Sequence, residues 1–97
     1  MQEVNINKLV NENNLNENIP NNIIIVGKIT KLYIKYKNNQ LDLSKLECDK
    51  IYYTNQKGES IKNHILPNSL KELWCCHNDL TSLPNLPHSL KKLYCNC

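Results

Sequence analysis

Residues 66–97 read LPNSLKELWCCHNDLTSLPN and then LPHSLKKLYCNC. The second segment repeats the first 12 positions of the first with seven identities (Leu, Pro, Ser, Leu, Lys, Leu, Cys), and Trp74 is answered by Tyr94. A tandem unit of 20 residues predicts a solenoid. A unit that short cannot bury its apolar face alone and has to stack on its neighbours.

Working outward, the strand pattern Leu70-x-x-Leu73-x-Cys75 recurs downstream as Leu90-x-x-Leu93-x-Cys95. Upstream it recurs as Ile29-x-x-Leu32-x-Ile34 and Cys48-x-x-Ile51-x-Tyr53. The four registers begin at 29, 48, 70 and 90, with spacings of 19, 22 and 20 residues. Ile19-Pro20-Asn21-Asn22-Ile23 resembles Leu66-Pro67-Asn68-Ser69-Leu70 and reads as the earliest trace of the unit. The expected organisation is a repeat array over 19–97, degenerate over 19–65 and well preserved over 66–97, with its last copy incomplete. Met1–Asn18, rich in Asn and Glu, reads as a poorly structured segment or a partial N-terminal cap. Its Val4, Ile6, Leu9 and Val10 fit one short strand or one helical turn equally well.

Within a unit, Asn78-Asp79-Leu80 reads as the step out of the strand, because Asn bonds turn backbone readily. Asn39-Gln40-Leu41 holds that place in the first register two residues late, and Gln56-Lys57-Gly58 departs from it. Residues 54–65, TNQKGESIKNHI, are the most polar stretch and read as a long loop. Pro84 and Pro87 forbid a helix on the return path and favour an extended, polyproline-like back.

The remaining composition narrows function mainly by exclusion. A chain of 97 residues with a net charge of +3 is one small domain. All twelve basic residues are Lys, while Asn occurs 17 times, a bias that follows AT-rich codons. Arg, the residue suited to bidentate phosphate and guanine contacts, is absent, which argues against a nucleic-acid partner. The longest apolar run is Ile23–Val26, far short of the roughly 18 residues that span a bilayer, so no membrane partner is expected. The N-terminus lacks a signal-peptide pattern, and five Cys are an odd set for a disulfide framework. A reducing, cytoplasmic setting is the expectation. Two glycines cannot form a phosphate loop, and His64, His77 and His88 stand at no catalytic spacing and read as solvated. Neither enzymatic activity nor a cofactor is expected.

Leu70-Lys-Glu-Leu73-Trp-Cys75-Cys-His-Asn78-Asp-Leu80 resembles the leucine-rich repeat. With Leu83-Pro84-Asn85-Leu86-Pro87 it is similar to the short bacterial-effector type, and the Asn/Lys/Ile-rich composition resembles leucine-rich repeat proteins of amoeba-infecting giant viruses. The resemblance implies a solenoid with a short parallel sheet on its concave face, an extended convex side and little helix. It also implies a protein-interaction role. The partner would be an unknown protein, a host protein if the source is viral, and the setting host cytoplasm or virion.

Strand alternation assigns each position a direction. Ile29, Leu32 and Ile34, Cys48, Ile51 and Tyr53, Leu70, Leu73 and Cys75, and Leu90, Leu93 and Cys95 should point inward, with Leu80, Leu83 and Leu86 filling from the return path. Tyr33, Tyr52, Trp74 and Tyr94 share one outward position and form either a binding stripe or a set of good strand formers. Lys31, Glu72 and Lys92 flank the stripe on one side, and Lys35, Cys76 and Asn96 on the other. A zinc site from Cys75, Cys76, His77, Cys95 and Cys97 is the weaker alternative, because alternation splits these ligands across two faces. A further alternative is a vestigial or truncated fragment with no activity of its own. Its incomplete last repeat would leave an open strand edge prone to edge-to-edge self-association.

Overall fold

The computed structural model of the chain describes residues 1–35 and 40–95. It is a β-solenoid of about four turns, built of mostly parallel strands with almost no helix. The strands are β1 (Gln2–Asn5), β2 (Val10–Asn11), β3 (Asn14–Leu15), β4 (Ile23–Ile34), β5 (Leu46–Tyr53), β6 (Lys57–Gly58), β7 (Glu72–Trp74), β8 (Asp79–Leu80) and β9 (Lys92–Tyr94). A 3-10 turn covers Ile6–Lys8. None of the helices described is long and apolar enough to cross a membrane.

The main sheet runs β2-β3-β4-β5-β7-β9, with β1 paired to the first part of β4. Leu32, Ile51, Leu73 and Leu93 stand in line, as do Tyr33, Tyr52, Trp74 and Tyr94. The uneven spacing of the sequence registers is thus met by one even ladder. A second row of pairing links Ile24, Asp42 and Ile65. A third joins β6 to β8.

Local chemistry explains how each turn is closed. Ahead of two strands the LPxSL motif makes a tight turn, with Leu70 N–H donating to Pro67 (3.2 Å) and Leu90 N–H to Pro87 (3.1 Å). The serines then reach back one turn. Ser69 Oγ accepts from Cys48 N–H at 3.1 Å, and Ser89 Oγ donates to the Leu70 carbonyl at 2.7 Å. Beyond the strand, Asn78 Nδ2 donates to the carbonyls of Tyr53 (2.9 Å) and Cys76 (3.2 Å). Gln56 repeats that pattern one turn earlier, donating to Ile34 (3.4 Å) and Thr54 (3.2 Å). Gln56 therefore does the work of the repeat's Asn and is no departure from it. Asn39, expected to open the same step in the first register, lies outside the described residues.

Most inward positions are buried: Leu32, Ile34, Cys48, Ile51, Tyr53, Leu70, Leu73 and Cys75 line the core. Ile29, Leu80, Leu83, Leu90 and Cys95 pack against it while partly exposed. Leu86 and Leu93 depart from the expectation, at 43% and 39% exposure. Both belong to the last described turn, on which no further described turn is stacked.

Three other expectations change. Ile19–Ile23 is out of register: the bridges align Ile24 with Ile65, so Leu66 answers Ile25 and not Ile19. Residues 54–65 do loop, broken only by the two-residue β6, but they are not exposed throughout as their polarity suggests, since Gln56, Ser60, Ile61 and His64 are buried. The 22-residue spacing is absorbed by folding the extra residues inward. His64, expected in solvent, is 3% exposed and stands where the preceding turn has Leu41, one place before the bridged residues. Burying an imidazole requires a polar partner, and the Tyr53 hydroxyl lies 2.8 Å from its Nδ1.

The first 18 residues are woven into the sheet. β1 lies along Ile23–Val26, and β3 sets Asn14 beside Tyr33. Ile6 and Leu15 are buried against the first turn of the solenoid. This covers apolar side chains that the end of a stack would otherwise leave exposed.

Candidate functional site: an aromatic ladder on the parallel sheet

The outward position of each main strand carries one ring, and parallel pairing in register sets the four side by side. Tyr33 and Tyr52 have ring centroids 4.7 Å apart at 15°, Tyr52 and Trp74 5.7 Å at 23°, and Trp74 and Tyr94 3.9 Å at 19°. All three pairs are stacked, and all four residues are half-buried. The spacing follows the roughly 4.8 Å between neighbouring strands, so the backbone dictates the stack. Each such pair adds about 0.5–1.5 kcal/mol beyond area burial. Among the described residues, none hydrogen-bonds the hydroxyls of Tyr33, Tyr52 or Tyr94.

Two residues upstream runs a charged row: Lys31, Lys50, Glu72 and Lys92, paired in register. The sequence reading named three of these and missed Lys50, although the spacing of the Cys48 register places it there. Glu72 is turned in on the sheet. Its Oε1 accepts from Trp74 Nε1 at 3.2 Å and its Oε2 lies 3.5 Å from Lys50 Nζ, leaving the Glu72 side chain 18% exposed. Lys31 and Lys92 are exposed. On the other flank stand Lys35, Thr54 and Cys76; Asn96, expected beside them, lies outside the described residues. Thr54 Oγ1 is buried without a hydrogen-bond partner.

The cysteines and histidines are dispersed. Cys48 and Cys75 are buried free thiols, each pushed up to about 11 chiefly by loss of hydration. Cys95 is a half-buried free thiol, and Cys76 is disulfide-bonded. His77 is exposed with φ at +60°. Among the described residues no group of three or more His, Cys, Asp or Glu converges as metal ligands do; Cys97 lies outside them. Tyr53 and His64 form a second polar pair, buried in the core, where burial drives the Tyr53 phenol strongly upward.

No family model, curated protein or solved structure matches the chain.

Proposed function

We propose that this β-solenoid is a leucine-rich-repeat-type interaction module that binds a protein partner through the outward face of its parallel sheet, across Tyr33, Tyr52, Trp74 and Tyr94. Two features support the repeat type. Leu70, Leu73, Cys75, Asn78 and Leu80 follow its pattern, and Asn78 and Gln56 make the same backbone contacts one turn apart. The observation that carries the binding reading is the ladder itself. Four half-buried rings run unbroken across the sheet, and contiguous apolar surface of this kind marks interaction sites. Tyr and Trp are also the side chains from which binding hot spots are built.

The test is capture of a partner from cell extract by the wild-type chain and by Trp74→Ala. Loss of a specific, saturable partner, with far-UV circular dichroism and thermal midpoint close to wild type, is the expected result. Retained capture by Trp74→Ala would remove the ladder from the binding face. Tyr52→Ala provides a second variant should Trp74→Ala unfold.

A further inference from the structure

We infer that the segment this face takes is an acidic amphipathic helix, laid across the strands with its axis along the ladder. The inference rests on the proposed role of the sheet face and specifies the chemistry of its partner.

Ring orientation comes first. Neighbouring rings lie within 15–23° of parallel and 3.9–5.7 Å apart, so their faces are spent on each other. What points outward is a row of ring edges and phenol hydroxyls. A sugar or an unstacked base needs an open ring face to lie on, and on Tyr52 and Trp74 both faces are covered. Ring edges carry the positive end of the aromatic quadrupole, and phenol hydroxyls can donate. Both favour acceptor-rich, anionic groups.

The flanks agree. Lys31 and Lys92 are exposed and have no ion-pair partner among the described residues. Glu72, the acid in their row, is turned in toward Trp74 and Lys50. Lys35 adds a cation on the opposite flank. Further upstream Lys28 and Glu47 offset each other at 3.9 Å. Among the described residues of the upstream flank, the unpaired cations nearest the rings are therefore Lys31 and Lys92.

Pitch decides between helix and extended chain. Successive rungs are about 4.8 Å apart, and same-side residues of an extended peptide about 6.7 Å. A helix advances about 5.4 Å per turn. Over three rungs a helix drifts about 2 Å from the ladder and an extended chain about 6 Å. A helix can thus offer a small apolar residue to the rings and a carboxylate to the Lys row on each turn, with spacing i, i+3/i+4, i+7.

The chain's single Trp lies in the ladder, so its fluorescence reports occupancy directly. Four probes are titrated: a helical peptide of about 12 residues, roughly 18 Å long, with an Ala/Leu stripe flanked by Glu; its Lys-for-Glu twin; its Pro-interrupted twin; and an oligothymidylate of similar length. The acidic helix should give a saturable Trp74 signal that weakens with salt. The Lys and Pro twins should bind at least about tenfold more weakly, about 1.4 kcal/mol. Lys31→Glu combined with Lys92→Glu should weaken the acidic helix by a similar factor while the near-UV dichroism of the stack persists. Equal binding by either twin, tighter binding by the oligonucleotide, or no signal from any peptide overturns the inference. Failure here with Trp74-dependent capture intact leaves the interaction role standing. Loss of that dependence brings down the role itself.

Discussion

Gln56 shows how much a single side chain can do in this fold. One amide ties its own turn to the turn before it, through Ile34 and Thr54, and accepts from Ser60 at 2.9 Å. Gln56→Ala removes both carbonyl contacts and leaves the buried Ser60 hydroxyl without its acceptor, while the Ile34 carbonyl keeps the Thr54 N–H at 3.0 Å. It should cost about 2–3 kcal/mol, read as a lower urea midpoint with unchanged slope. Buried thiols give a second test. Cys48 and Cys75 lose hydration on folding, so their pKa rises from 9.0 to about 11. The unfolded thiol ionises first. Stability is therefore complete below pH 9 and falls as the pH rises from 9 to 11. Urea melts across that window should show the decline, and it should be smaller in Cys48→Val. The aromatic position was legible because it recurs in all four registers at one offset. His64 was not, because its partner Tyr53 was read only as one more inward apolar residue.

Elements were legible where the 20-residue unit is intact and misread where backbone pairing overrules resemblance. Ile19-Pro20 looks like Leu66-Pro67, yet β4 is twelve residues long and the Ile24–Asp42–Ile65 bridges set the register past that motif. The polar stretch 54–65 hid a buried core because its amide and hydroxyl satisfy each other and nearby backbone and its imidazole meets the Tyr53 hydroxyl, which composition cannot reveal. Left-handed backbone recurs at matched places: Asn55 and His77 have φ of +58° and +60°, each two residues beyond the third core position. Asn tolerates this well, whereas a β-branched residue does not. His77→Val should lower the thermal midpoint, with His77→Asn near neutral. Gly27 is a harder constraint. Its φ is +122°, and a Cβ there would lie 2.9 Å from Ile6 Cγ2. Gly27→Ala should cost about 1–3 kcal/mol from overpacking, with additional backbone strain. Hydrogen exchange should then quicken first in β1 and the 3-10 turn, which this contact holds against β4.

At the scale of the molecule, the two ends of the stack differ. The first turn is covered by β1, β2 and β3, whereas β9 pairs with β7 alone among the described residues, and Leu93 within it is 39% exposed. Exposed strand edges pair with other chains unless charge or cover prevents it. Sedimentation should therefore show self-association rising with concentration, and Leu93→Lys should reduce it. A monomer at every concentration would mean that Lys91 and Lys92 already guard this edge.

The even ladder built from uneven spacings also makes the chain extensible by arithmetic. Residues 66–85 close their own turn, bond the turn before through Ser69 and Asn78, and present to the turn after the surface that Ser89 already grips. They amount to a tile whose two edges match. Copied in tandem, that tile should lengthen the molecule by one strand and one indole without a new junction having to be invented. A gene built from this chain could thus vary the reach of its ladder by integer steps, as a ruler is lengthened by whole divisions.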